Sequence, residues 1–343
     1  NGIIKQAQKA NEATTDKGAE EKVGLSVSAA RAKGMGVLTV SNLKEEVENS
    51  YGGTVTGTEF PVTVTIDGKK FTVKSTGEVT QDGSSPTDKI SKTTSYVGYY
   101  ADLDPTDGKI DGIIYADLAV GNQGSGQWGD TEEKYTIPKV DKIEELKDYY
   151  ISQTNYNGND ANGKGFGKRD VISPTGTGTD RFYIMALTDI DGQINGTYYD
   201  WYSAAYYYNN NKGMKDFAST TFIGFGKGKT NTATMISKWN TKSYGDKNQC
   251  SDGHLDMWGQ IQTQVNNGWF VPSKEEWAAF AGELGISTDN SNEKYYENFG
   301  LSDNYWSSSQ YSANLAWYAA FYYGCMGDNR VSYESYVRLS ATF

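Results

Sequence analysis

Histidine and cysteine are scarce in this chain of 343 residues. His254 is the one histidine, so a Ser/His/Asp triad would have to use it, and the sequence contains no GxSxG segment. Cys250 and Cys325 are the two cysteines, and they form no CxxC or Cys/His spacing of a metal site. A disulfide between the two cysteines remains an alternative, but we expect two free thiols. These scarcities predict that the protein is not an enzyme.

Positive charge and long apolar runs are also scarce. The chain has 32 Lys and Arg against 43 Asp and Glu, for a net charge of −11. No basic cluster of the kind that phosphate binding needs is present, which argues against a nucleic-acid partner. No run of eighteen apolar residues occurs, so we expect a membrane link only through a segment upstream of Asn1, in a processed protein.

The N-terminal region has the pattern of two helices and a hairpin. Apolar residues spaced for one helical face predict a helix over residues 3–33, and Asn42 with Glu45 predicts a capped second helix to about Ser50. The segment PVTVTI-DG-KKFTVKS predicts a hairpin with a type I′ turn at residues 67–68. That register sets Val64 opposite Phe71, with the intervening threonines facing water.

A long helix followed by a small antiparallel sheet resembles the soluble part of a type IV pilin or pseudopilin. The resemblance covers roughly residues 1–80, and a generic helix-plus-hairpin domain is the alternative. It implies an extracellular location on the cell surface or in a pilus, other pilin subunits as partners, and a hydrophobic helical segment before Asn1. The connector at residues 75–98 is rich in Ser, Thr, Gly and Asp, so we place the domain boundary after residue 95.

The second predicted domain, residues 96–343, mixes strands and helices. Ser273 and Glu276 form a capping box that predicts a helix over residues 272–285. Strands are predicted near residues 113–115 and 181–190, a short helix near 143–150, and loops at 121–131 and 155–180. The predicted fold class of the chain is therefore α+β.

Residues 305–343 carry eleven aromatic side chains and only four charged ones. Strand periodicity puts Trp317 and Phe321 on an inner face and Tyr318, Ala320 and Tyr322 on an outer face. Residues 323–335 read as a loop, and residues 336–343 as a half-buried closing strand. Tyrosine gives large contact area at low conformational cost, so this region is predicted to bind a ligand.

The strings GWFVPSKEEWAAF (268–280), GLSDNYWSSSQ (300–310), AWYAAF and YVRLSATF resemble one family over about residues 96–343. The family is the variable proteins of bacterial diversity-generating retroelements, which have a C-type-lectin fold of the formylglycine-generating-enzyme branch. The resemblance implies a variable region at about 307–343, in which adenines of Asn codons are randomised. Such codons cannot reach Gln, Glu, Lys, Met or Trp. The implied ligand-binding residues are Leu315, Tyr318, Ala320, Tyr322, Tyr323, Cys325, Gly327, Asp328, Asn329, Arg330, Ser332, Tyr333 and Ser335.

The expected ligand is a protein or a glycan on another cell or on a phage. A fixed-specificity carbohydrate-binding adhesin or minor pilin is the first alternative. A calcium-dependent or thiol-based enzyme of the same fold is the second alternative.

No cofactor is expected, with calcium as the one candidate. Residues 102–111, DLDPTDGKID, have the alternating carboxylates and the glycine of a calcium loop. Compared with an EF-hand, the segment has one extra residue before Asp107 and lacks the bidentate Glu. The candidate metal ligands are Asp102, Asp104, Asp107 and Asp111.

Overall fold

The computed structural model describes residues 2–82, 89–122, 126–193, 196–202, 217–241, 255–286 and 295–343. At residues 2–17 and 81–82 it describes the backbone alone. The chain divides into two compact units, Asn1–Thr87 and Asp88–Phe343. Helices precede several mostly antiparallel sheets, which confirms the predicted α+β class. No helix in these ranges is long and apolar enough to cross a bilayer.

Two helices open the first unit, α1 (Gly2–Lys33) and α2 (Val40–Tyr51). The predicted apolar face of α1 is buried at Val23, Val27 and Ala30. The predicted cap of α2 is wrong by one turn. Thr39 is the N-cap, because its backbone is extended and its hydroxyl accepts the N–H of Asn42 at 3.2 Å.

The sheet of the first unit has the order β1-β2-β3-β4 and is antiparallel. Its strands are β1 (Thr54–Thr56), β2 (Val62–Ile66), β3 (Lys69–Val73) and β4 (Val79–Asp82). Asp67 and Gly68 both have positive φ, as a type I′ turn requires, and Val64 pairs with Phe71 as predicted. The apolar face of this sheet and the two helices share one buried core.

The second unit is built on a six-stranded sheet with two smaller ladders and a three-stranded meander. Its strands are β5 (Tyr100–Ala101), β6 (Gly112–Asp117), β7 (Gly126–Gln127), β8 (Lys134–Tyr135), β9 (Asp148–Asn157), β10 (Lys168–Thr175), β11 (Phe182–Ala186), β12 (Tyr199–Asp200), β13 (Asn304–Ser312), β14 (Leu315–Ala320), β15 (Cys325–Arg330), β16 (Glu334–Ser335) and β17 (Ser340–Thr342). The large sheet has the order β17-β11-β6-β5-β10-β9, and its one parallel pairing joins β5 to β10. Every residue of β6 is buried, which makes this strand the centre of the unit.

The described helices of the second unit are α3 (Gly228–Asn240), α4 (Met257–Gln260), α5 (Gln262–Asn266) and α6 (Lys274–Glu283). Two 3₁₀ turns lie at Ile143–Glu145 and Tyr295–Phe299. The capping box predicted for α6 is confirmed at Ser273 and Glu276. The Glu276 carboxylate also accepts the N–H groups of Gly226 and Gly228, so it fixes the glycine-rich loop before α3.

Two predicted elements of the second unit are wrong. The predicted loop over residues 155–180 contains most of an antiparallel pair, β9 with β10. The predicted helix near residues 143–150 is only a 3₁₀ turn, and β9 begins at Asp148. Tertiary burial decides both cases, since Tyr149 and Ile172 are inserted in the apolar core under the sheet.

The closing segment at residues 336–343 is buried on both faces, which corrects the half-buried strand predicted for it. Arg338 alternates with the apolar residues, on the face that a half-buried strand leaves to water, but it is fully buried and its Nε donates to Asp189 Oδ1 at 2.9 Å. The Arg338 guanidinium also donates to the carbonyl of Gly300 at 3.0 Å. The segment is therefore held by a buried ion pair as well as by apolar packing.

Candidate ligand-binding surface

The meander β13-β14-β15 positions the predicted ligand-binding residues. All of its pairings are antiparallel, with Trp306 opposite Tyr318 and Tyr318 opposite Gly327. β14 and β15 are joined by the turn 321–324, which ends at Gly324 with a φ of 65°. Much of the predicted loop at residues 323–335 is therefore strand. The Gly, Asp and Asn residues of β15 are typical of loops, but pairing with β14 makes the segment a strand.

Both faces of the meander contact apolar clusters. One face contributes to a cluster around Trp277, through Tyr305, Ala319 and Met326. The other contributes to a cluster around Trp258, through Trp306, Ala316 and Val331. The meander backbone is thus a buried framework, and solvent reaches it chiefly at its turns and along β15.

The exposed positions are concentrated after β14 and along β15. Tyr322, Tyr323 and Tyr333 are 38%, 58% and 50% exposed, and the Asp328 and Arg330 side chains also face solvent. We call these five residues the exposed set. Six other predicted residues are half-buried and so less accessible to a ligand: Leu315, Tyr318, Cys325, Gly327, Asn329 and Ser332.

Two predicted ligand-binding residues are wrongly placed. Ala320 is 1% exposed, because it lies between Asn304 of β13 and Cys325 of β15 on a covered sheet. Ser335 is 4% exposed, because β16 pairs with β12 through Tyr199. Neither residue can contact a ligand in this structure.

The inner and outer faces predicted for β14 are also not cleanly separated. Tyr318, predicted to point outward, is half-buried with its ring 6.1 Å from the Trp306 ring. Trp317, predicted to be framework, is itself half-exposed, with the Lys274 ammonium 4.0 Å from its ring centroid. Tyr311 packs edge-on against Trp317 and is 51% exposed. Sequence reasoning missed Tyr311, whose signal was its place among the aromatic residues of the segment.

The predicted residues line neither of two cavities in the second unit. A cavity of about 190 Å³ is lined by residues that include Ile190, Gln264 and Trp269. A cleft of about 350 Å³ is lined by residues that include Lys139, Lys142 and Thr179. The exposed set instead spans the length of β14, roughly 17 Å at about 3.3 Å per residue. This extended arrangement suits contact with the surface of a macromolecule better than enclosure of a small ligand.

A carboxyl pair lies beside the edge strand of the meander. The N–H of Asp130 donates to Glu133 Oε2 at 3.2 Å, and Gly129 packs closely against Gly324 and Cys325. Burial, followed by the neighbouring Asp130 carboxyl, raises the pKa of Glu133 to about 7. Burial and these two carboxyls also raise the pKa of the Cys325 thiol, which is free. This is the reverse of what a thiolate nucleophile needs.

The Glu133 site predicts a dependence of stability on pH. In the folded state the pKa of Glu133 is raised from 4.5 to about 7. The stabilisation that protonated Glu133 gives to the folded state is therefore complete below pH 4.5 and is lost as pH rises through 7. We expect the free energy of unfolding to fall on the order of 1–2 kcal/mol from this group between pH 5 and 8. Chemical denaturation across this range should show a flatter profile for Glu133→Gln. An unchanged slope in that variant would contradict the assignment.

The candidate metal ligands lie in the loop that joins β5 to β6. Asp102 is buried and Asp111 is half-buried, whereas Asp104 and Asp107 are exposed. Across the described ranges, no three acidic, Cys or His side chains are arranged to hold a metal ion. Asp104 Oδ1 accepts the N–H of Thr106, and Asp107 Oδ1 accepts the N–H of Lys109. Cys250 and His254 lie outside the described residues.

No protein-family model matches the chain, and no curated protein matches it. One solved structure is similar, that of a fimbrial protein from Bacteroides ovatus, with 15% identity and a TM-score of 0.32. The match covers 82% of this chain and 56% of that protein, so the chain spans just over half of its length. This similarity is too low to establish a shared fold.

Proposed function

We propose that the protein is a surface-displayed binding protein whose exposed set recognises a macromolecular ligand. The observation that carries the proposal is the contrast along the meander. Three tyrosines stand in solvent on a backbone whose two faces are packed into apolar clusters. A rigid scaffold lets exposed side chains contact a partner at little conformational cost.

The chemistry of the exposed set suits a protein or glycan ligand. Tyr322 and Tyr323 pack edge to face at 5.1 Å, which gives a broad aromatic contact at the turn. At the other end of β15, the Arg330 guanidinium lies 5.8 Å from the Tyr333 ring. Arg330 and Asp328 add charges of opposite sign that can discriminate between ligands.

We further propose that the exposed set is diversified, as in the retroelement family that the sequence resembles. The side chains of this set are exposed to solvent and belong to no buried cluster, so we expect that replacing them leaves the core unchanged. Residues that Asn-codon randomisation cannot reach include Gln310 and Met326, and both are buried. Glu334, also out of reach, is exposed, so the separation is incomplete. Ala320 and Ser335 belong to the framework in this proposal.

We expect the protein to bind its ligand without catalysing a reaction. Cys325 is the one thiol in the described ranges, and its raised pKa keeps it protonated near neutrality. The first unit has two helices followed by a small antiparallel sheet, which is the element order behind the sequence resemblance to a pilin. On that resemblance we propose an extracellular, surface or pilus location. Other pilin subunits are the partners that such a location implies.

A display selection tests the binding proposal. One library randomises Tyr322, Tyr323, Asp328, Arg330 and Tyr333 in the full chain, and it is panned against hen lysozyme. We expect folded variants that bind the target with dissociation constants in the micromolar range or below. A matched library randomises the buried positions Ala319, Ala320 and Met326 and should yield no folded binders. Equal success of the two libraries, or failure of the first, would contradict the proposal.

A further inference from the structure

A small cavity is lined by residues from the end of β11, from α5 and from the closing segment, and by none of the exposed set. Its floor is closed, because Asp189 and Leu339 are each 4% exposed. Its rim is open, because Thr188 and Gly192 face solvent. A buried floor beneath an open rim lets a small ligand enter from solvent and become largely enclosed.

Backbone hydrogen bonds fix the walls of the cavity. The N–H of Gly192 donates to the carbonyl of Asp189 at 2.9 Å, which closes the turn after β11. The N–H of Trp269 donates to the carbonyl of Gln264 at 3.0 Å, and the next residue, Phe270, pairs with β17. Since the backbone is already in place, binding requires little ordering of the protein.

Gln264 brings an unpaired acceptor to this cavity. Its Oε1 is buried and has no hydrogen-bond donor among the described residues. An unpaired buried oxygen is costly, so a donor from outside the chain accounts for it. No hydrogen bond from the described residues holds this oxygen in place, and an amide turns readily about its terminal bond. Gln264 can therefore present the oxygen to a ligand in the cavity that it lines.

Asp189 is a second acceptor at the cavity, and its charge is already balanced. Asp189 Oδ1 accepts the Nε–H of Arg338 at 2.9 Å in the buried ion pair. A carboxylate can accept several hydrogen bonds, so Asp189 retains capacity for a ligand hydroxyl. Because the ion pair has no net charge, a cationic ligand gains little from it. The cavity therefore favours a neutral ligand that donates hydrogen bonds from more than one position.

We propose that this cavity binds one neutral pyranose sugar, either free or at the end of a glycan. A cavity of about 150 Å³ holds benzene. The volume of about 190 Å³ here therefore has room for one six-membered ring with small substituents. A pyranose has hydroxyls around its edge that donate to Gln264 and Asp189, and a face of C–H groups that packs against the Trp269 side chain. This site adds a second binding activity to the one proposed for the exposed set.

Saturation-transfer difference NMR of the full chain with D-glucose, D-galactose and D-mannose tests this proposal. At least one of these sugars should bind with a dissociation constant of about 1 mM, the affinity expected for a ligand of about twelve heavy atoms. The methyl glycosides distinguish the two sources. Equal binding of the glycoside assigns the site to the end of a glycan, and loss of binding assigns it to a free sugar. Tetramethylammonium chloride and adenine represent a cationic and a flat aromatic ligand, and each should bind roughly tenfold more weakly.

Variants of α5 test the role of the unpaired oxygen. Gln264→Met keeps the length of the side chain and removes the acceptor, so sugar binding should weaken roughly tenfold. The melting temperature should stay the same or rise, because the unpaired buried oxygen is gone. Thr263→Ala, at an exposed position of the same helix, is the matched control and should bind as the wild type does. Trp269→Ala should abolish detectable binding, and Gln264→Met carries the test if that variant does not fold.

A variant of the exposed set shows where the sugar binds. Tyr322→Ser combined with Tyr333→Ser should keep wild-type affinity for the sugar, whether or not the exposed set binds a macromolecule. The proposal is overturned by no saturation transfer to any of the three sugars at about 20 mM, or by wild-type affinity in Gln264→Met. It is also overturned by an equal loss in Thr263→Ala or in the double tyrosine variant, or by tighter binding of adenine or tetramethylammonium.

Discussion

Replacing Asp189 with Ala is expected to lower the free energy of unfolding of the second unit by about 3–5 kcal/mol. Asp189 and Arg338 are both buried, and their side chains meet at 2.9 Å. The variant leaves the guanidinium of Arg338 in the interior with only the Gly300 carbonyl as a hydrogen-bond acceptor among the described residues. Guanidinium denaturation followed by tryptophan fluorescence measures this loss.

A double variant isolates the charge effect from the loss of packing. Asp189→Ala together with Arg338→Met removes the uncompensated charge and should recover about half of the lost stability. Lys142→Ala breaks an exposed ion pair with Glu145 and should cost less than about 1 kcal/mol. A loss at Asp189 no larger than that at Lys142 would show that the buried pair does not hold the closing segment.

Replacing Trp277 with Ala is expected to cost about 3–5 kcal/mol and to loosen the meander from α6. The Trp277 ring is fully buried and stacks on Tyr305 at 5.0 Å, and its Nε1 donates to the carbonyl of Trp306 at 3.1 Å. It also contacts Phe321 at the start of the turn that presents Tyr322. The variant should therefore lose stability, and it should lose affinity for any ligand of the exposed set even though Trp277 contacts none.

The matched control retains an aromatic ring. Trp277→Phe removes the indole hydrogen bond and part of the volume, and it should cost about 1–2 kcal/mol. Both variants should be compared by chemical denaturation and by binding of a selected library member to its target. Wild-type affinity in a Trp277→Ala protein that has lost stability as expected would show that the meander holds its shape without this contact.

Local chemistry made several elements predictable from the sequence. The capping box of Ser273 and Glu276 and the Asp67-Gly68 turn are set by neighbouring residues, so α6 and the hairpin of β2 and β3 are where the sequence puts them. The cap of α2 was missed because Thr39 competes with Asn42, and both residue types cap helices well.

In the meander, long-range packing decides which residues are buried and which segments are strands, and the sequence pattern does not reveal it. The alternation of side chains along a strand predicts which residues of β14 share a face, but it does not reveal that both faces are covered. This alternation therefore predicts an exposed Ala320, whereas in the structure the residue is buried between neighbouring strands. Gly327, Asp328 and Asn329 are turn formers and predict a loop, yet the pairing of β15 with β14 overrides that preference.

We propose that the side chains of the exposed set are interchangeable, whereas the framework residues beneath them are not. The most direct measurement is the free energy of unfolding of a variant with serine at all five positions, Tyr322, Tyr323, Asp328, Arg330 and Tyr333. We expect this free energy to change by about 1 kcal/mol or less, because these side chains face solvent. A tyrosine at buried Ala320 should instead cost about 3 kcal/mol by overpacking. A fivefold variant that loses as much stability as Ala320→Tyr would show that these five side chains are part of the framework.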